Sequence, residues 1–231
     1  MFHGTKMPIL KAFQTVFRIA TKKKGMSTIE LGTEVGVQQK TTWLFKRKVR
    51  AAMKKDKDDR LNGRVDIDET LIGGYSSTVG RSAENKRELL VAVEILPDGR
   101  TGNLQMQPIE NFIEDTLKFA IKDCVSPNAD IQTDAYHSNK KLAKEMGNIN
   151  IRYSGKGNNM EELHKQIMQF KNWLRGTHQK CANEYLFAYV NEYRFNKRNM
   201  RKWLFNDIIG MMMHQFPHPH QYLKTLYVYS T

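Results

Sequence analysis

Residues 64–77, "RVDIDETLIGGYSS", place three acids within four positions, between a basic stretch and a pair of glycines. Val65, Ile67 and Leu71 recur with the two-residue period of an extended chain, so Asp66, Asp68 and Thr70 point to the opposite face and Glu69 away from them. Two carboxylates then share one side of a strand. Such a pair is stable when solvated, and it also suits a hard divalent cation, which prefers oxygen ligands. The stretch by itself leaves both readings open.

The segments that follow fix the fold class. The spacing predicts strands over 88–96 ("ELLVAVEIL") and 101–109, joined by a "PDG" turn of the hairpin kind. A helix is predicted over 110–123, a strand over 129–135 ("ADIQTDA"), a helix over 137–146 and a strand over 148–154, with helices dominating to about residue 213. A three-strand meander followed by alternating helix and strand describes an α/β fold, a mixed sheet flanked by helices.

Upstream, Leu10, Phe13, Val16, Phe17 and Ala20 recur at helical spacing, and Gly25 ends that helix. In residues 27–53, Ser27 and Glu30 stand at capping-box spacing and Gly36 separates two helical patterns, which outlines a helix-turn-helix. Lys40, Lys46, Arg47, Lys48 and Arg50 on its second helix offer charge to phosphates. An ordinary helical hairpin with a solvated basic face gives the same pattern. The expected organisation is an all-α helix-turn-helix region at 1–57, a charged linker at 58–63, a catalytic domain at 64–200, and a C-terminal helix and tail at 201–231.

Of 231 residues, 40% are hydrophobic, enough for a core, and 37 Lys and Arg against 24 Asp and Glu give a net charge of +13. That balance favours a polyanion such as nucleic acid. No window approaches the ~20 continuous apolar residues of a spanning helix, and the first residues lack the pattern of a signal peptide. The expected location is therefore the cytoplasm, without a membrane partner. Cys124 and Cys181 are too few and too far apart for a disulfide framework or a paired-cysteine zinc site, and they read as buried thiols. The "HQFPHPH" stretch at 214–220 and the run Met211 to Met213 read as tail and packing.

Three further acids stand out. Asp134 ends an apolar strand, where α/β sheets place ligands, although Asp there is also a good helix cap. Glu161 and Glu162 open a helix whose apolar stripe is Leu163, Ile167, Phe170 and Leu174; Glu162 suits a structural role in the first turn, and Glu161 is left to point elsewhere. Three acids from two strands and a helix are able to converge on divalent metal.

The order of elements, with "FHGTKMPILK", "STIELGTEVGVQQKTTW", "VDIDETLIGG", "QTDAYHS", "LRGTH" and "YLFAYVNEYRFNKR", resembles the ISXO-type insertion-sequence transposases over nearly the whole chain. The resemblance implies an RNase H-like catalytic domain with a DDE-type acidic triad. Position by position, it carries the catalytic, metal-binding acids onto Asp68, Asp134 and Glu161, with Asp66 as a neighbour, and it sets Lys171 at a basic position that contacts the DNA end.

It implies two Mg2+ ions, with Mn2+ able to substitute, and DNA partners: the inverted-repeat ends of a mobile element and a target. Transposition needs two ends held together, so a homodimer or higher oligomer on DNA is expected, in the bacterial cytoplasm at the nucleoid. Lys46, Arg47, Arg50, Arg175, Arg194 and Arg198 are the further candidates for DNA contact. The competing readings are a transposase remnant that binds DNA without cutting it, and a structure-specific nuclease that hydrolyses without strand transfer.

Overall fold

The computed structural model describes residues 6–54, 59–73, 86–135, 137–153, 160–178, 185–198 and 203–214. Its elements are α1 (Ile9–Thr21), α2 (Thr28–Val35), α3 (Gln39–Ala52), β1 (Arg64–Gly73), β2 (Lys86–Ile95), β3 (Thr101–Ile109), α4 (Glu114–Cys124), β4 (Asp130–Asp134), α5 (His137–Met146), β5 (Ile149–Arg152), α6 (Glu161–Thr177), α7 (Leu186–Arg198) and α8 (Leu204–His214). They divide into two compact units, a helical one of residues 1–55 with 173–231 and a sheet one of residues 56–172. The stretch 173–200, expected within the catalytic domain, thus groups with the N-terminal helices, and α6 begins in the sheet unit and ends in the helical one.

In the sheet unit the strand order is β3-β2-β1-β4-β5. The meander β1 to β3 is antiparallel, and β1, β4 and β5 are parallel. The "PDG" turn closes through Gly99 N–H donating to Leu96 O at 2.8 Å, with Gly99 at φ 82°. The sheet is mixed, α4 and α5 pack against it, and a helical region precedes it, which is the RNase H-like arrangement.

The two faces of this sheet differ in chemistry. Val65 and Ile67 of β1, Leu90 and Ala92 of β2 and Ile131 of β4 form one core with Leu117, Ala120 and Ile121 of α4 and Leu142 of α5. The other face splits in two. On β2 and β3 it carries buried Leu89, Val91, Val93, Leu104 and Met106; on β1 and β4 it carries Asp66, Asp68, Gln132 and Asp134. α6 meets this second face, with Glu162 accepting a hydrogen bond from Thr101 Oγ1 at 3.0 Å and His164 beside Asp68. Leu163 and Phe170 of α6 are fully buried, each stabilising the fold by roughly 1.5–3 kcal/mol.

In the helical unit, Ser27 Oγ caps α2 by accepting from Glu30 N–H at 3.1 Å. Gly36 ends α2 in the left-handed region at φ 66°, as a glycine C-cap does. Gly32 closes the turn: Val37 N–H donates to its carbonyl at 2.9 Å, and a Cβ at Gly32 would stand 2.8 Å from Val37 O. Only glycine allows that approach. The core joins α1, α2, α3, α7 and α8 through Val16, Ile19, Leu31, Phe45, Val49, Phe195, Ile208 and Met212. Met212 is thus packing, while Met211 and Met213 are exposed. No helix among the described residues is long and apolar enough to cross a membrane.

Candidate active site

Asp66 and Gln132 are directly paired in the parallel β1/β4 ladder. Asp68 and Asp134 stand two residues further along their strands, so strand alternation turns both carboxylates to the face of that pair. Both are partly exposed, whereas Asp66 is 2% exposed and its carboxylate lies 3.3 Å from Arg64 Nε. The acid pair read from the sequence is therefore unequal. Asp66 is an internal ion-paired side chain and Asp68 is partly exposed.

Asp68 accepts from its neighbour's backbone, Glu69 N–H, at 2.8 Å, and Asp134 accepts from Asn139 Nδ2 at the same distance. Asn139 is 2% exposed and sits in the first turn of α5, so it fixes the direction of the Asp134 carboxylate. Across from Asp68, His164 Nδ1 lies 3.7 Å from Oδ2. Glu161 points elsewhere: its side chain is 75% exposed and pairs with Lys165 at 2.8 Å. Glu162 also accepts from Lys165, and those bonds, with Thr101, hold its carboxyl below the ordinary range.

The sheet thus sets Asp68 and Asp134 on one face, and His164 of α6 stands against Asp68. Among the described residues no group of three His, Cys, Asp or Glu side chains is close enough to hold a metal ion. The donors fit a magnesium-like ion, which takes one or two carboxylates and fills its other positions with water and phosphate oxygens.

The basic candidates are placed differently from the expectation. Lys46, Arg47, Arg50 and Arg194 are 1%, 4%, 5% and 5% exposed, so in this conformation they do not face phosphates. Lys46 and Arg50 reach Glu192 of α7 at 3.3 and 2.5 Å, and Lys46 also donates to Met26 O at 2.6 Å. Arg47 lies between the rings of Trp43 and Tyr185, 4.7 and 4.9 Å from their centroids. Arg194 donates to Met53 O. Burial pulls Lys46 down to about 8 against the attraction of Glu192. Burial also opposes the Glu192 charge but is outweighed by Arg50 and Lys46, which leave it at about 2. One carboxylate shared by two cations explains why Glu192 keeps its charge more firmly than Lys46.

Arg175 is exposed and Lys171 half-buried. The side chain of Arg198 lies outside the described residues, as do Cys181 and residues 215–220 of the histidine-rich stretch; Cys124 is a buried thiol. Exposed charge in the helical unit includes Lys23, Lys24 and Lys40.

Residues 60–197 match the ISXO2-like transposase domain. The chain belongs to this transposase family. No curated protein matches it. Membership supports an insertion-sequence transposase role and DNA as the partner, in a family that generally uses divalent metal. Two side chains beside the acids were given no role from the sequence: Asn139, five residues after Asp134, and His164, three after Glu161. The offset of one helical turn between Glu161 and His164 is the signal that pointed toward the second.

Proposed function

We propose that this transposase cleaves the ends of a mobile DNA element and joins the released 3′ ends to a target, using Asp68 and Asp134 to bind divalent metal. The observation that carries this reading is their position on one sheet face, two residues beyond the directly paired Asp66 and Gln132. When bound, the metal would activate a water or hydroxyl and stabilise the leaving oxygen of a phosphodiester. Asn139 orients Asp134, and Arg64 offsets the charge of Asp66 beside the site.

The third donor was expected at Glu161. His164 is the alternative, since it faces Asp68 while Glu161 pairs with Lys165, and it would have to draw closer to Asp134 to ligate the same ion. Because imidazole suits manganese better than magnesium, Mn2+ is expected to support cleavage at least as well as Mg2+. DNA contact falls to Lys171 and Arg175 and to the exposed lysines Lys23, Lys24 and Lys40, and the active form on DNA is a dimer or larger.

The Glu161–Lys165 pair also favours a second reading, a DNA-binding remnant that no longer cuts. The test is cleavage of the element's inverted-repeat DNA with Mg2+ or Mn2+, followed by strand transfer into a target plasmid. Cleavage abolished by Asp68→Asn and by Asp134→Asn supports the enzyme. DNA binding without metal-dependent cleavage supports the remnant, and cleavage without joined products supports a nuclease.

A further inference from the structure

Asp134 and Arg152 are direct partners in the parallel β4/β5 ladder. Their side chains therefore leave the sheet on the same face, one strand spacing of about 4.8 Å apart. Arg152 is exposed, and among the described residues β5 is an edge strand paired with β4. The next residue, Tyr153, is 73% exposed, and Lys140 Nζ sits 5.6 Å from the centre of its ring. Lys140 follows Asn139, the residue that orients Asp134. The carboxyl end of β5 thus carries a guanidinium on the face of Asp134 and, at the next residue, a solvent-facing aromatic ring with an ammonium against it.

This combination has a specific chemical use. An arginine on the acid side of the strand end supplies a phosphate partner close to the reacting centre. An ammonium against a tyrosine leaves much of the ring open, and every nucleobase has a flat face to stack on it whatever its sequence. Paired bases in a duplex are already stacked on their neighbours, so a ring at a sheet edge serves only bases freed from pairing.

We propose that the end of β5 binds an unpaired stretch of DNA, with Arg152 on a phosphate and a base stacked on Tyr153, so that nucleotides next to the cut phosphodiester are held single-stranded. This rests on the cleavage reading for its position beside the acids, although binding itself needs no chemistry.

The test measures binding of the full chain, in Ca2+ buffer, to a labelled duplex carrying a single-stranded oligothymidine tail and to the same duplex blunt-ended. The tailed DNA is expected to bind roughly tenfold more tightly, a preference that Tyr153→Ala removes and Tyr153→Phe retains. Arg152→Ala is expected to lower the slope of log affinity against log salt by about one. Equal affinity of the unsubstituted protein for both DNAs would overturn the proposal, as would a tail preference that survives Tyr153→Ala. Circular dichroism confirms that each variant is folded. Asp68→Asn is carried through the same binding assay and through cleavage: if cleavage survives that change, the cleavage reading fails while the tail preference is still decided by binding.

Discussion

His164 Nδ1 stands 3.7 Å from Asp68 Oδ2, while Glu161, one helical turn earlier, pairs with Lys165 at 2.8 Å. Of the two α6 residues, His164 is therefore the one whose loss disturbs the site. His164→Ala is expected to lower metal-dependent cleavage roughly 10- to 100-fold, and Asp68→Asn by roughly 10²–10³-fold. Glu161→Gln should have the smallest effect of the three. Initial rates on inverted-repeat DNA in Mn2+ check the ranking, and a larger loss in Glu161→Gln than in His164→Ala would return the third position to Glu161.

Asn139 reaches the site through Asp134. Removing its amide takes away one of the contacts that aim this carboxylate, without removing a ligand. Asn139→Ala is expected to raise the Mn2+ concentration for half-maximal cleavage about tenfold, with a smaller change in the rate at saturating metal. A metal titration of the rate separates the two; a fall in saturating rate with an unchanged midpoint would mean that Asn139 does not work through metal binding.

The sheet was legible because its signals are local. The period-two pattern of residues 64–72 separates the apolar face from the acid face within one strand, and β3 and α5 fall on the residues predicted. The burial of Lys46 and Arg50 on α3 was not legible, for the opposite reason. Their partner Glu192 is 142 residues from Arg50 along the chain, and no window on α3 contains it. A single acid in the aromatic, basic helix "LFAYVNEYRFNKR" was the available hint. The orientation of Glu161 was not legible because Glu161 and His164 lie on neighbouring rows of α6, and only packing decides which meets Asp68.

The shared carboxylate of Glu192 makes that residue a fragile point in the helical unit. Glu192→Gln leaves Lys46 and Arg50 buried without a counter-charge, and is expected to cost about 3–5 kcal/mol of unfolding free energy. Lys46→Met removes one cation, keeps the Arg50 pair and should cost much less. Urea denaturation followed by circular dichroism compares them. Equal losses would show that packing, not charge balance, governs this cluster.

The same cluster sets a direction for acid sensitivity. His178 Nε2 accepts from an Arg50 guanidinium nitrogen at 3.2 Å, which requires a neutral ring. Burial, with Arg50 and Lys46 adding to it, holds its pKa at about 3 instead of 6.5. Between those values the unfolded chain binds a proton that the folded chain refuses, so stability falls as pH falls from about 6.5 toward 3. Glu192 works in the same direction. Its pKa is depressed from 4.5 to about 2, so its contribution is present above 4.5 and is lost as pH drops through that window. The melting temperature of the helical signal should therefore decline below about pH 6.5, first through His178 and then through Glu192. His178→Gln cannot take up a proton and should flatten the upper part of that decline while leaving the lower part in place. A decline of unchanged shape in His178→Gln would assign the acid sensitivity to other groups.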